Sequence, residues 1–169
     1  TSANKKKSQK RTKGGSYINE EEKRIILEIL DDLKSTGELK GLDIGIITGY
    51  SGQKELLRKS IKATGLDKIA SKIDINTLDA FQGRENDIII YSTVRTRDSI
   101  GFQKEKERVN VAFSRAKKLL IVCGDKNFFY NFDDQDNKFV EIIDYISEEE
   151  ECEIIQCDGG KLFERESNS

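Results

Sequence analysis

Short apolar runs alternate with amphipathic segments along most of the chain. Continuous runs such as GLDIGIITGY, DIIIYSTV and LLIVCG are typical of strands covered on both faces, whereas KIDINTLD alternates as a half-buried strand does. Apolar residues recur at helical spacing in NEEEKRIILEILDDLKSTG, SGQKELLRKSIKATG, KERVNVAFSRAKK and NKFVEIIDYISEEE. The segment CEIIQC predicts a last strand. Asn19 and Ser51 are predicted helix N-caps, and Gly37 is a predicted helix stop.

This alternation predicts the fold class. Buried strands separated by helices indicate an α/β domain with a mainly parallel sheet and helices on both faces. In such sheets, functional loops follow the carboxyl ends of strands. The segments TGYSGQ and TRDSIGF are predicted at those ends.

Composition and charge divide the chain of 169 residues into a body and two polar ends. Net charge is −2, but residues 1–15 carry six Lys or Arg and no acid, whereas residues 131–169 carry 13 acids and three bases. We expect a flexible basic segment over 1–15, a globular domain over 16–160 and a polar tail over 161–169. The basic segment is interpreted as a solvated tail, with a nucleic-acid arm as the alternative.

Cysteine usage excludes two classes of small domain. The three cysteines form no CxxC pair and there is no histidine, which argues against a zinc site or a disulfide framework. No apolar run approaches the ~20 residues of a membrane span. Free thiols suit a reducing compartment, so we expect an intracellular protein, cytoplasmic or, in a eukaryote, nuclear. The chain does not begin with Met, and we expect it to belong to a longer protein.

Three polar clusters could carry chemistry, and each also has a structural interpretation. In IGIITGYSGQ, Thr48 and Ser51 could bind a phosphate at a helix start, or simply cap that helix. The FQGRE stretch, with Asp79 before it, could be a binding site or a surface turn. In RVNVAFSRAK, Arg108 and Arg115 are seven residues apart, which predicts one helix face. That face could recognise a phosphoryl group or be solvated.

Together, in order and spacing, these blocks resemble motifs IV, V and VI of a known family. IITGYSGQ, INTLDAFQGRENDIIIYSTVR and IGFQKEKERVNVAFSRAKKLLIVCGD are similar to the second RecA-like domain of superfamily 1 helicases. The resemblance is to the branch that contains the nonsense-mediated-decay helicase and senataxin, and it runs from about Ser16 to about Phe129. It implies a three-layer RecA-like fold, related to P-loop NTPases, in an ATP-dependent helicase or translocase.

The resemblance implies a nucleotide site at the cleft between two RecA-like domains. Arg115 matches the arginine finger of motif VI, and Glu85 matches the motif V carboxylate that binds the nucleotide ribose. Gly83 would let the backbone approach the nucleotide. ATP and Mg²⁺ are the implied ligands, in the complete two-domain enzyme.

The resemblance also implies a nucleic-acid track along the domain. Thr77 matches a motif V hydroxyl that contacts the phosphate backbone of the bound strand. Thr48, Tyr50 and Gln53 lie in motif IV, next to that track. The implied partners are single-stranded DNA or RNA and the N-terminal RecA-like domain of the same protein.

The sequence departs from the family pattern in several places. Gly49 stands where a proline is usual, Phe113 and Ser114 replace the usual Leu-Thr, and Glu107 precedes Arg108 in place of a second arginine. No GxxxxGKS or GxxxxGKT phosphate loop occurs, and no acidic pair follows an apolar strand to hold Mg²⁺. We therefore expect this chain alone to be inactive. The alternatives are a non-catalytic RecA-like binding module and an unrelated flavodoxin-like domain.

Overall fold

The computed structural model describes residues 9–37, 39–81, 83–104, 106–133, 137–155, 157–158 and 161–162. The helices of these residues are α1 (Glu20–Thr36), α2 (Ser51–Ala63), α3 (Lys106–Phe113), α4 (Lys126–Asn131) and α5 (Phe139–Glu148). The strands are β1 (Gln9–Arg11), β2 (Tyr17–Asn19), β3 (Asp43–Thr48), β4 (Lys72–Thr77), β5 (Asn86–Ser92), β6 (Ala116–Cys123), β7 (Cys157–Asp158) and β8 (Lys161–Leu162).

The central sheet is four-stranded, with the order β4-β3-β5-β6, and every neighbouring pair is parallel. Thr48, Thr77 and Ser92 lie side by side at its carboxyl edge, because Thr48 pairs with both of the others. Helices surround the sheet. This arrangement confirms the predicted α/β fold class and is consistent with a RecA-like fold.

Two apolar cores, one on each face, explain the continuous apolar runs of the strands. Ile44 and Ile46 of β3 belong to the core that includes residues of α1 and α2. Ile47 of β3 and Tyr91 of β5 belong to the other core, with Phe129 and other aromatic residues. Successive residues of one strand point to opposite faces of the sheet, so the odd-numbered and the even-numbered positions must both be apolar.

The connection from β4 to β5 crosses the sheet without a long helix. Leu78 begins it at the carboxyl edge, where its N–H donates to the Thr48 carbonyl at 3.0 Å. A single 3-10 turn (Asp79–Phe81) follows, and the Phe81 side chain is 1% exposed. A Cβ atom at Gly45 of β3 would lie 2.6 Å from Phe81 Cζ, so glycine is what lets this connection lie on the sheet.

Both ends of α1 match the prediction, whereas the start of α2 does not. Asn19 caps α1, because its Oδ1 accepts from the N–H groups of Glu21 and Glu22 at 3.1 and 3.0 Å. Gly37 ends α1 in the left-handed region, with φ 72°. The predicted cap at Ser51 is wrong: Ser51 is the first helical residue, and Tyr50 holds the cap position in an extended conformation.

The helix α3 is shorter than the segment KERVNVAFSRAKK, whose apolar spacing predicted it. It ends at Phe113, and the chain enters β6 at Ala116. Arg115 therefore lies in the turn between them, and the prediction that it shares a helix face with Arg108 is wrong. The Arg115 carbonyl accepts from Asn86 N–H at 3.1 Å, a contact between distant residues that local spacing cannot reveal.

Residues 9–15 are ordered, although a flexible segment was predicted through residue 15. The β1 strand pairs antiparallel with β2, and Gln9 is 1% exposed. The Oε1 atom of Gln9 accepts from Thr96 N–H at 3.0 Å, which anchors the strand to the loop after β5. Residues 1–8 lie outside the described chain.

The carboxyl-terminal region also differs from expectation. Residues 152–155 of the predicted strand form no regular structure, and Ile154 and Ile155 are 37% and 51% exposed. Among the described residues that follow, the two-residue strands β7 and β8 pair antiparallel. The short helix α4 was not predicted, because KNFFYN is too short to show a helical period. Most of the predicted tail, residues 163–169, lies outside the described residues.

We expect Gly45→Ala to lower the free energy of unfolding by about 1–3 kcal/mol, because the added methyl overlaps Phe81 and Ile89. Urea denaturation measures this change. Gly14→Ala is the control, since a Cβ there meets only Thr12 Oγ1, at 4.0 Å. Equal stabilities of the two variants would contradict the tight contact.

Candidate functional site

The candidate residues fall into two groups at opposite edges of the sheet. Glu85 precedes β5 and Arg115 precedes β6, and the first residues of those strands, Asn86 and Ala116, are paired. Thr48 and Thr77 end their strands at the other edge. The seven residues of β5 separate the edges by about 20 Å, at ~3.3 Å per residue.

Arg115 has a fixed backbone and an incompletely bonded side chain. Its N–H donates to the Ala112 carbonyl at 3.2 Å, and its carbonyl accepts from Asn86. The side chain is half-buried, and the buried Nε–H has no hydrogen-bond partner among the described residues. A buried donor without an acceptor costs about 1–3 kcal/mol, so an acceptor that reached this side chain would stabilise it.

Glu85 and Gly83 lie in an open turn beside Arg115. The carboxylate of Glu85 is 3.9 Å from Lys117 Nζ, and both side chains are 55% exposed. Such a surface pair contributes little to stability, so the carboxylate can exchange partners at small cost. Gly83 has φ 77°, which favours glycine, and no described atom lies within 4 Å of a Cβ placed there. Gln82 lies outside the described residues, as does the Arg108 side chain.

An ion pair anchors this turn to the sheet. The Arg84 Nη1 atom donates to Asp74 Oδ2 of β4 at 2.5 Å, and Asn76 Nδ2 donates to the other carboxylate oxygen at 2.6 Å. Asp74 is 15% exposed, whereas Arg84 is 54% exposed. The pair connects the turn before β5 to the neighbouring part of β4.

The carboxyl-edge group is mostly buried. Thr48 and Gln53 are 0% exposed and Tyr50 is 5% exposed, whereas Thr77 is half-buried. Gln53 binds Asn19 through both its oxygen and its nitrogen, and its nitrogen also donates to Ser92 Oγ. Thr77 is therefore the member of this group best placed to contact a ligand without rearrangement.

Tyr50 packs within a small polar and aromatic cluster. Its ring meets the Tyr17 ring edge-on, with centroids 5.6 Å apart, and the Arg95 guanidinium lies 4.2 Å from the Tyr17 centroid. A Cβ at Gly101 would lie 2.1 Å from the Tyr50 hydroxyl oxygen. Gly101 therefore makes room for Tyr50, and the cluster joins three segments at the carboxyl edge.

Glu22, which sequence reasoning missed, is a buried carboxylate at the same edge. It is 3% exposed and accepts hydrogen bonds from Ser92 Oγ at 2.5 Å, Thr93 Oγ1 at 3.0 Å and Val94 N–H at 2.8 Å. Val94 has φ 68°, an uncommon conformation for a β-branched residue, and this bond helps to hold it. Helical spacing is the sequence signal that could have indicated the burial of Glu22, because Glu22 shares the buried face of α1 with Ile26 and Leu30.

Burial dominates the electrostatics of this carboxyl. It raises the pKa of Glu22 from its ordinary value of 4.5 to about 7, although the hydrogen bonds from Ser92, Val94 and Thr93 act in the opposite direction. Asp125, which caps α4, raises the pKa further by its negative charge. Glu22 therefore changes charge near neutral pH.

Within the described ranges, no group of three or more Cys, Asp or Glu side chains could hold a metal ion. None of the helices there has the length and apolar character needed to cross a membrane.

Comparisons with known proteins give the family of the chain. Residues 1–127 match a family model described as an AAA domain. The chain is 38% identical to an uncharacterized ATP-dependent helicase of Methanocaldococcus jannaschii over 83% of its own length and 20% of that protein's length. It is 38% identical to a regulator of nonsense transcripts 1 homolog of Neurospora crassa, over 66% of this chain and 10% of that protein. It is also 38% identical to the probable helicase senataxin of Mus musculus, over 64% and 4% respectively.

The fold and these matches define the class, a RecA-like domain of ATP-dependent helicases. The chain belongs to the AAA-domain family of the first match and, within it, to the superfamily 1 helicase branch suggested by its three motifs. It spans a fifth or less of the length of these relatives.

We expect Glu22→Gln to remove a pH dependence of stability. A carboxyl whose folded-state pKa is raised stabilises the fold fully below its unfolded pKa of 4.5, and that contribution is lost as pH rises through about 7. Between pH 4.5 and pH 8 the natural chain should therefore lose roughly 3 kcal/mol more than Glu22→Gln, as measured by urea denaturation.

Glu148→Gln is the matched control, because Glu148 is exposed at the end of α5 and should leave the pH profile unchanged. Glu22→Ala should be destabilised at both pH values, since it removes the carboxyl oxygens that accept from Ser92 Oγ and Val94 N–H. Parallel pH profiles of the natural chain and Glu22→Gln would show that Glu22 does not titrate in this range.

Proposed function

We propose that this chain is the second motor domain of an ATP-dependent superfamily 1 DNA or RNA helicase or translocase. It supplies an arginine finger at the amino edge of its sheet and part of a single-strand track at the carboxyl edge. The observation that carries the proposal is that the buried Nε–H of Arg115 has no hydrogen-bond partner among the described residues. The family membership of the chain supports it.

Arg115 is the proposed finger because its backbone is rigid while its guanidinium has bonding capacity to spare. Hydrogen bonds to Ala112 and Asn86 fix the main chain on either side of the side chain. A planar guanidinium matches the oxygens of a phosphoryl group and neutralises the charge that develops on it. Such a residue contributes on the order of 10³ to 10⁵ in rate.

Glu85 and Gly83 form the proposed ribose side of the nucleotide site. The exposed Glu85 carboxylate can accept hydrogen bonds from ribose hydroxyls. The open space around Gly83 leaves room for a nucleotide against the backbone. The ion pair of Arg84 with Asp74 holds this turn in place.

The remaining parts of the ATP site are proposed to come from an N-terminal RecA-like domain of the same protein. A phosphate loop and Mg²⁺ ligands are needed for phosphoryl transfer, and no GxxxxGKS or GxxxxGKT sequence occurs here. ATP and Mg²⁺ would bind in the complete enzyme, between that domain and the edge that carries Arg115.

The proposed nucleic-acid track lies at the carboxyl edge, with Thr77 as its direct contact. Thr48, Tyr50 and Gln53 shape the same edge from within, where they are buried. A threonine hydroxyl can bind a phosphate oxygen but reads no base, so the motor should act on single strands with little sequence preference. Both DNA and RNA fit this chemistry.

In the longer protein, we expect Arg115→Ala to reduce kcat for ATP by roughly a thousandfold or more, with nucleotide affinity changed by less than about tenfold. Arg115→Lys should restore little, because an ammonium lacks the planar fork. Steady-state ATPase assays with single-stranded DNA and RNA measure this.

The control for Arg115 is Lys62→Ala, which removes an exposed cation near the end of α2 and should leave kcat unchanged. A kcat of Arg115→Ala near that of the natural protein would reject the finger and favour a non-catalytic binding module.

We expect Glu85→Ala in the same protein to raise KM for ATP more than it lowers kcat, since a ribose contact contributes to binding before the reaction. The ratio of the two effects in the same ATPase assay is the measurement. A large fall in kcat with unchanged KM would instead place Glu85 at the reacting phosphate.

A further inference from the structure

The amino-terminal hairpin is an ordered, basic element that lies outside motifs IV, V and VI. We call residues 9–19, which contain β1 and β2, the basic hairpin. Its turn is closed by Thr12 N–H donating to the Ser16 carbonyl at 2.7 Å and by Gly15 N–H donating to the Thr12 carbonyl at 3.0 Å. Gly15 has φ 83°, a conformation that favours glycine.

The basic hairpin is docked on the carboxyl edge of the sheet. Ser16 Oγ accepts from Gly52 N–H at 3.0 Å, at the start of α2. Asn19 N–H donates to Gln53 Oε1 at 2.8 Å. Gln9 Oε1 accepts from Thr96 N–H at 3.0 Å. Three contacts along its length therefore hold the hairpin beside the strand ends that carry the proposed track.

The charged side chains of the basic hairpin are all cationic, and they are exposed. Lys10, Arg11 and Lys13 are exposed, whereas Gln9 is buried, and residues 9–19 contain no Asp or Glu. Arg97 adds a further cation from the loop after β5, where its Nη2 donates to the Gln9 carbonyl at 3.3 Å, although Asp98 lies 3.7 Å from its Nε.

We infer that the basic hairpin is a further binding site for the phosphate backbone of single-stranded nucleic acid, continuous with the edge that carries Thr77. This inference rests on the proposed function. Lysine and arginine bind phosphates without reading sequence, and each phosphate they neutralise releases counterions. Cations on an ordered hairpin lose less conformational entropy on binding than those of a disordered tail.

Nucleic acid is favoured over an acidic protein partner because of where the hairpin lies. It contacts Gly52 and Gln53 of the same segment, TGYSGQ, that shapes the proposed track. A strand bound along the carboxyl edge would pass from Thr77 toward these cations. The hairpin would therefore lengthen the track with contacts that depend on charge and not on base identity.

The test is binding of a fluorescent single-stranded oligothymidylate to the 169-residue chain, followed by anisotropy at several salt concentrations. Lys10→Ala/Lys13→Ala should weaken binding about tenfold at low salt. It should also reduce the slope of log K against log salt by about 1.4, since each lost single-strand phosphate contact contributes about 0.7.

Lys59→Ala/Lys62→Ala is the matched control. It removes the same charge from exposed positions on the last turns of α2, away from Ser51 at its start, and should leave the salt slope unchanged. An equal loss in both double variants would show general charge attraction and overturn the inference. So would an unchanged slope in the hairpin variant, or an absence of binding by the natural chain.

Two further measurements separate the inference from the function on which it rests. Suppose that Arg115→Ala keeps full ATPase activity in the longer protein, while Lys10→Ala/Lys13→Ala still reduces the salt dependence of oligothymidylate binding. The motor proposal then fails and the binding site stands. Loss of polyglutamate binding by the hairpin variant, with oligothymidylate binding unchanged, would overturn the inference and assign the hairpin to an acidic protein partner.

Discussion

Burial of Phe81 against Gly45 is the packing contact on which the layout of this domain depends. Parallel strands usually need a long crossover, yet only eight residues separate β4 from β5. Eight residues suffice because the Phe81 ring packs directly against β3 at Gly45, in the space that a Cβ atom at that position would need. The same connection that leaves Thr77 at one edge therefore delivers Glu85 to the other.

This geometry places Thr77 and Glu85, which are eight residues apart in the sequence, at opposite edges of the sheet. The amino edge presents Glu85 and Arg115, the proposed nucleotide side, where the Arg115 Nε–H has no hydrogen-bond partner among the described residues. The carboxyl edge presents Thr77 and the basic hairpin, the proposed contacts for a phosphate backbone. The strand β5 runs between them, and its residues are buried in both cores.

Glu22 shows that the carboxyl edge is organised by a costly interaction. A fully buried carboxylate destabilises a domain unless donors surround it, and here Ser92, Thr93 and Val94 supply them. These bonds connect α1 to the end of β5 and hold Val94 in the left-handed region. The loop that follows then reaches Gln9 and the basic hairpin. Order at this edge therefore extends further toward the amino terminus than charge alone suggests.

The sequence by itself determined the α/β class, the order of the four central strands along the chain, both ends of α1 and the family. The fold class and the helix ends follow from strand burial, helical spacing and caps, which are local or periodic signals, whereas the family follows from the resemblance of the three motif blocks. Only the tertiary structure decided that Arg115 leaves its helix, that residues 9–11 form a strand and that Glu22 is buried. It also decided which edge each motif occupies. Each of these depends on a contact between residues far apart in the sequence, such as Asn86 with Arg115 or Gln9 with Thr96, and no local pattern encodes such a contact.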